Sequence, residues 1–304
     1  CAERIRLMHA TEPVSRGPVH IRMIRHPFFR DMGAYLIGSL RWQNKEHPLV
    51  FAINNNERGL SVDALLLHQE HLRILFSFSR DYFHVTTPGP ARIVHFLKQL
   101  MPEKRIAELY IALGHHKHGK TVMYRELLEH RQVCSQDRFD FAAGQRGMVM
   151  IAFNMPRYDL IYKIIRDRFD SPKQTTRRQV MERYDYVFKH DRAGRLLDVQ
   201  TFENLQIEQC CFSPALLDEI SRQATGTADI KDDQVVLRHV FVERLVTPLD
   251  VFLKQAGPED AKAVVIDFGK AIKDLARVNV FPGDMLIKNF GVTRLGRVVF
   301  YDYD

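Results

Sequence analysis

Near Gly147 the apolar period of this chain changes from helical to strand-like. From Arg105 to Arg131 apolar residues recur at helical spacing, until a polar, aperiodic stretch, CSQDRFDFAAGQRG, breaks the pattern. Beyond it MVMIAFNMP and YDLIYKIIRD are short apolar runs joined at Pro156-Arg157, and they read as strands, as do FENLQIEQCCF and QVVLRHVFVERL. Helical patterns sit among these strands, over Thr175 to His190, PLDVFLKQ and the amphipathic AKAVVIDFGKAIKDLARV. A turn at Arg294-Leu295-Gly296 then leads into RVVFYD. The first part of the chain opens with an Arg-rich helix, a break at Pro13, Gly17 and Pro18, and a second basic segment. AYLIGSLRW and HPLVFAINNNERGLSVDALLL follow as strands around turn residues Asn54-Asn55-Asn56 and Arg58-Gly59. HLRILFSFSRDYF and ARIVHFLKQL are helical to either side of Pro88-Gly89-Pro90. The expected class is α+β, a mostly helical part with a β-hairpin followed by a part built on antiparallel strands.

Composition narrows the function classes. With 45% apolar and 27% charged residues among 304, the chain can bury a sizeable core and is not a disordered sequence. No apolar run reaches the roughly 18 to 20 residues that span a bilayer, and no apolar stretch of a secretory signal follows the basic start. A cytoplasmic protein without a membrane partner is expected. Lys plus Arg number 44 against 37 Asp plus Glu, a net +7. That excess suits nucleotides or an acidic protein surface. The arginines alternate with apolar residues on expected helices, as in IRMIRHPFFR, and no basic stretch is interleaved with aromatics as a nucleic-acid footprint would be. The cysteines, Cys1, Cys134, Cys210 and Cys211, form no CxxC pair, and sequence neighbours rarely bond to each other, so reduced thiols are expected.

Three short patterns suggest nucleotide chemistry. Gly114 to Thr121 spells G-x-x-x-x-G-K-T, but IAELYIAL before it is as helical as strand-like and its loop is packed with His and Lys, so a basic helix junction is the better reading. A zinc site from His115, His116 and His118 matches no ligand spacing. Asp267-Phe268-Gly269 spells the kinase magnesium motif, yet lies inside an amphipathic helix where Val264, Phe268, Ile272 and Leu275 share a face, so Asp267 reads as a polar helix residue. The third pattern has kinase order and spacing. Asp284 in FPGDMLIKNFG precedes Asn289 by five positions, and Asp302 stands thirteen beyond at the end of a strand. A hairpin between Asn289 and Asp302 would return both side chains to one edge, as a magnesium ion bridging ATP phosphates requires. Lys163 sits between Ile161 and Ile165 on one strand face, where a lysine needs an anion such as a phosphate. The loop Ala142, Ala143, Gly144, Gln145, Arg146, Gly147, Met148 would cover the phosphates.

Taken in order, these segments resemble the bacterial isocitrate dehydrogenase kinase/phosphatase family, on RGMVMIAFNMP, IYKIIRDRF, HDRAGRLLD, ELYIALGHHKHGKT and above all FPGDMLIKNFGVT to VVFYDYD. The resemblance implies a regulatory domain over 1–136 and a protein-kinase-like catalytic domain over 137–304, with an antiparallel N-lobe sheet and a truncated C-lobe. It implies ATP and Mg2+ as cofactors, isocitrate dehydrogenase as protein substrate, and adenine nucleotides as ligands and effectors. Phosphorylation of an active-site serine, and its reversal, would set flux between the tricarboxylic acid cycle and the glyoxylate bypass. Lys163 and Ala142 to Met148 match the ATP-binding positions, Asp284 the catalytic aspartate, and Asn289 and Asp302 the magnesium ligands. Asp198 matches an active-site position, and Asp304 an acidic residue tied to the phosphatase direction; both roles come from the resemblance alone. The rival readings are a small-molecule phosphotransferase of kinase-like fold and a non-catalytic adenine-nucleotide sensor.

The sequence departs from ordinary kinases in three ways. Pro282-Gly283 replaces the His-Arg before the catalytic aspartate, Lys288 falls four past Asp284, and the magnesium motif is Asp302-Tyr303-Asp304. The carboxylate that should pair with Lys163 from a helix is open between Glu182 and Glu203. Cys1 in place of Met, and two residues after Asp302 where an activation segment belongs, lead to the expectation of a piece of a protein nearly twice as long, inactive on its own.

Overall fold

A computed structural model describes residues 18–30, 33–42, 45–57, 59–77, 82–143, 146–169, 175–190 and 193–303, with backbone alone at 188–190. The Arg-rich helix expected before Pro13 lies outside the described residues, as does Asp304. The chain is α+β, and it forms two compact units that part between Val122 and Met123. No helix among the described residues is long and apolar enough to cross a membrane.

The first unit holds a five-stranded antiparallel sheet of β1 (His20–Met23), β2 (Phe28–Arg30), β3 (Gly33–Trp42), β4 (Lys45–Asn56) and β5 (Gly59–Leu66). The hairpin read from the sequence is β4–β5, with β5 at one edge; β1 and β2 both pair with β3. The helix expected over IRMIRHPFFR is instead these two strands: HIRM is exposed at all four positions, so an edge strand with two wet faces has no alternation to show, and β2 is only three residues long. Helices α1 (Gln69–Leu75), α2 (Pro90–Leu100) and α3 (Ile106–Ala112) follow, and α4 (His116–Val133) runs into the division between the units. Gly89 and Pro90 start α2 where a proline costs no hydrogen bond, and Ile93, Val94, Leu97 and Leu100 form its buried stripe. The helix expected to continue to Phe83 stops at Leu75. Phe83 still reaches the core, because its backbone N–H bonds Ala112 O at 2.8 Å and its ring edges Phe28 at 5.6 Å.

The second unit is built on a six-stranded antiparallel sheet. β6 (Asp140–Phe141), β7 (Met150–Asn154) and β8 (Leu160–Ile165) lead across to β11 (Gln234–Arg244) and β10 (Ala228–Lys231), and β9 (Val199–Glu208) also pairs with β11. β10 and β11 join at Asp232-Asp233, both at positive φ, in the two-residue turn that suits the strand twist. The helix α5 (Arg177–His190) sends Val180 and Tyr184 into the core, with Tyr184 stacked on Phe241 at 4.0 Å and edged by Tyr303 at 5.3 Å. Helix α6 (Pro214–Gln223) is a further element, capped by Ser213 Oγ accepting from Leu216 N. A small sheet of β12 (Thr247–Pro248), β13 (Phe290–Val292) and β14 (Val298–Phe300) packs with helices α7 (Leu249–Gln255) and α8 (Pro258–Arg277). Here Phe268 of α8 edges Phe290 at 4.8 Å, and Val264, Ala271 and Leu275 line the same core.

Candidate active site

The register of the six-stranded sheet sets the first part of the site. Lys163 on β8 lies opposite Ala152 of β7 and Phe241 of β11. Glu243, two residues beyond Phe241, therefore occupies the same face one diagonal step away. Its Oε2 accepts from Lys163 Nζ at 2.7 Å, with both side chains buried. This is a correction to the sequence reading, which looked for the partner at Glu182 or Glu203. Glu182 is exposed and pairs with Arg178 at 2.8 Å, and Glu203 is exposed on β9. A lysine and a carboxylate buried this far are stable together because each offsets the other's lost hydration.

The second part is the β13–β14 hairpin. Phe290 pairs with Phe300, and Tyr301 N bonds Asn289 O at 3.1 Å, so the residues on either side of the hairpin return to one edge as the spacing required. Gly291 is needed there, since a Cβ would stand 2.3 Å from Val246 Cγ2. Asn289 is buried in the 3-10 turn Ile287–Asn289, and its Nδ2 donates to Asp284 O at 3.0 Å. That bond fixes the backbone at Asp284 while leaving the Asp284 side chain exposed.

Tyr301 joins the two parts. Lys163 Nζ lies 3.4 Å from Tyr301 O and 5.2 Å from its ring centroid, while Tyr301 Oη donates to Lys288 O at 2.7 Å. Burial pushes the Tyr301 phenol up, and the negative charges of Asp302, Asp250 and Glu243 push the same way. The charges of Asp302, Asp250 and Glu243 are thus all felt at one tyrosine, beside the buried Lys163. Asp198 sits on a segment that pairs with β14, with Leu197 N bonding Phe300 O at 2.9 Å, and its Oδ2 accepts from Gln200 Nε2 at 2.8 Å. The sequence pattern alone offered no sign of Asp198; its approach to β14 is a tertiary fact.

The loop from Ala142 to Met148 connects β6 to β7, the strand paired with that of Lys163. Ala142 N bonds Ala152 O at 3.0 Å, Arg166 Nε reaches Gly147 O at 3.2 Å, and Arg146 lies over the Phe141 ring at 4.2 Å. Ala143, Arg146, Gly147 and Met148 are exposed; Gly144 and Gln145 lie outside the described residues.

The other patterns take structural roles. The G-x-x-x-x-G-K-T stretch follows a helix, and Gly119 lies within α4, where a Cβ would come within 2.4 Å of Ile111 Cγ1 and 3.0 Å of Ala107 O. Its glycine serves a helix crossing. The nearby histidines turn to aromatic neighbours, His116 to Tyr82 at 4.4 Å and His118 to Tyr110 at 5.7 Å. Asp267 is more than a polar helix residue. Its carboxylate accepts from Arg195 at 2.7 and 3.0 Å and from Val298 N at 2.8 Å, which ties α8 to β14.

Two family models cover this chain. The isocitrate dehydrogenase kinase/phosphatase regulatory domain matches residues 2–136 and the kinase domain of the same family matches 137–304. The chain belongs to the isocitrate dehydrogenase kinase/phosphatase family. Named members of that family include proteins of Anaeromyxobacter sp. (strain Fw109-5), 49% identical over 93% of this chain and 49% of its own length, and of Serratia proteamaculans (strain 568), 43% identical over 91% and 47%. A third, from Anaeromyxobacter dehalogenans (strain 2CP-C), is 49% identical over 95% of this chain and 49% of its own. The chain therefore spans about half the length of these isocitrate dehydrogenase kinase/phosphatases.

Proposed function

We propose that the full-length protein carrying this chain phosphorylates isocitrate dehydrogenase on an active-site serine with Mg-ATP, and removes the phosphate again, in the cytoplasm. The regulatory part would be 1–136 and the kinase-like part 137–304. The observation that carries this reading is the buried Lys163–Glu243 pair resting on Tyr301, between the Asn289 turn and Asp302. The oxygen donors of Asn289 and Asp302 fit magnesium, which when bound would neutralise charge on the phosphate oxygens. Lys163 would hold a phosphate oxygen, kept in place by Glu243, beneath the loop from Ala142 to Met148. Asp284 would accept the serine Oγ proton as that oxygen takes the γ-phosphoryl group and ADP departs. For the reverse reaction, Asp304 would orient water against the phosphoserine, and Asp198 would serve from beside β14. Adenine nucleotides are proposed as effectors as well as substrates.

The test is incubation of the full-length protein with isocitrate dehydrogenase and Mg-ATP, followed by intact-mass analysis. One added phosphate, absent with Asp284→Ala, is expected. Phosphorylation of sugars or amino alcohols in place of the dehydrogenase would make it a small-molecule phosphotransferase. No transfer to either, with nucleotide still bound through Lys163, would make it a sensor.

A further inference from the structure

At the end of β9 the chain makes a tight 3-10 turn, Gln209–Cys211. Sequence neighbours normally point apart, but this turn places the Glu208 carboxylate and the thiols of Cys210 and Cys211 within 4.8 Å of one another. Backbone bonds from Gln209 N to Asp233 O at 2.8 Å, and from Phe139 N to Cys211 O at 2.7 Å, hold the turn on both sides. Cys210 Sγ lies 3.6 Å from Glu208 Oε2, and Arg131 of α4 reaches the same oxygen at 2.7 Å. Cys210 and Glu208 are exposed while Cys211 is buried, so the cluster opens to solvent on one side and rests on the core on the other.

We propose that Glu208, Cys210 and Cys211 bind one soft divalent cation of the zinc and cadmium class, with the fourth position left to water. Two sulfurs and one carboxylate select a thiophilic metal over magnesium or calcium. Tetrahedral zinc with sulfur at about 2.3 Å needs sulfurs about 3.8 Å apart, a separation within the 4.8 Å span of this cluster. Charge also balances. Two thiolates and a carboxylate around M2+ carry a net −1, and Arg131 beside them returns the site to zero. A carboxylate offers two oxygens, so Glu208 can ligate with one and keep Arg131 on the other. Binding replaces both S–H bonds by metal–sulfur bonds and releases two protons. Because both sulfurs start as thiols, the metal competes with protons for them.

The test titrates the reduced full-length protein with cadmium alone, then zinc alone, following the ultraviolet cadmium–thiolate charge-transfer band and proton release in weak buffer. One equivalent should saturate the band, about two protons should leave per metal near neutral pH, and affinity should fall about a hundredfold per pH unit on acidification. Cys210→Ser, at an exposed position, should keep the thermal midpoint and lose the band, and Glu208→Gln should weaken binding at least about tenfold. Cys134→Ser should change nothing. A band that is absent from the native protein, or that survives Cys210→Ser, overturns the proposal.

Discussion

The Lys163–Glu243 pair makes the sharpest prediction, Glu243→Gln. At 2.7 Å, and with an effective dielectric constant near 20, the gross attraction between the two charges is about 6 kcal/mol. Dehydrating two ions costs several kcal/mol each, so the intact pair contributes little net stability. Removing one charge is a different matter, because the other stays buried: breaking such a pair typically costs about 3 to 5 kcal/mol. Glutamine keeps an oxygen within reach of Lys163 Nζ, which places Glu243→Gln at the lower end, about 3 kcal/mol. For a unit the size of Met123–Asp304 that corresponds to a fall of about 6 to 12 °C in thermal midpoint. Lys163→Met should cost a similar amount. The double variant Lys163→Met/Glu243→Gln removes both charges together and should be far less destabilised than the sum of the two single variants. Calorimetry of all four proteins closes the cycle. A midpoint for Glu243→Gln within about 2 °C of wild type, or a double variant as unstable as the sum of the singles, would refute the argument. Glu182→Gln, whose partner Arg178 is exposed, should leave the midpoint unchanged.

Three further outcomes are expected. Gly119→Val should destabilise by about 1 to 3 kcal/mol through overpacking against Ile111, and nucleotide affinity of the folded protein, read by equilibrium dialysis, should not change; lost affinity at an unchanged midpoint would restore the phosphate-loop reading. Gly291→Ala forces a methyl against Val246, and its urea midpoint should fall by a comparable amount; an unchanged midpoint would contradict the close approach. At Asp267, burial favours the neutral acid, but the Arg195 and Val298 hydrogen bonds and the Arg195 and Arg297 charges outweigh it and hold the carboxyl below its usual range. The folded value is thus lower than the unfolded one, so this stabilisation is complete above about pH 4 and disappears as pH falls through the folded value. Asp267→Asn should make the acid limb of the stability curve shallower, and an unaltered limb in acid titration would dismiss the clamp.

Most strands and helices of the second unit were legible because they are short apolar runs buried on both faces, as on β8, or carry an apolar stripe at helical spacing, as on α8. What failed to show was structure without a buried face or with tertiary causes. β1 is wet on both faces, β2 is three residues long, and Phe83 enters its core from a segment outside α1. The return of the chain after β14 to the Asn289 turn was readable because a hairpin turns sequence distance into spatial return. Asp198 was not, since nothing in its own neighbourhood encodes that it lies beside β14.

Lys163 and Glu243 show where a stronger reading was available. Each is a charged residue in an apolar strand on the parity of buried neighbours, Ile165 for Lys163 and Phe241 for Glu243. Opposite charges on the inward faces of two strands in one sheet have one economical solution, which is to meet. A helical carboxylate is the partner in ordinary kinases, whereas α5 commits its inward positions to Val180 and Tyr184. Asp267 repeats the lesson in reverse. Its helical phase is the expected one, and that phase points it at Arg195 and the start of β14, a positioning role that goes beyond a polar helix residue. In both cases the deciding fact is which face a charge occupies, because a buried charge must find its counter-charge wherever the register places one.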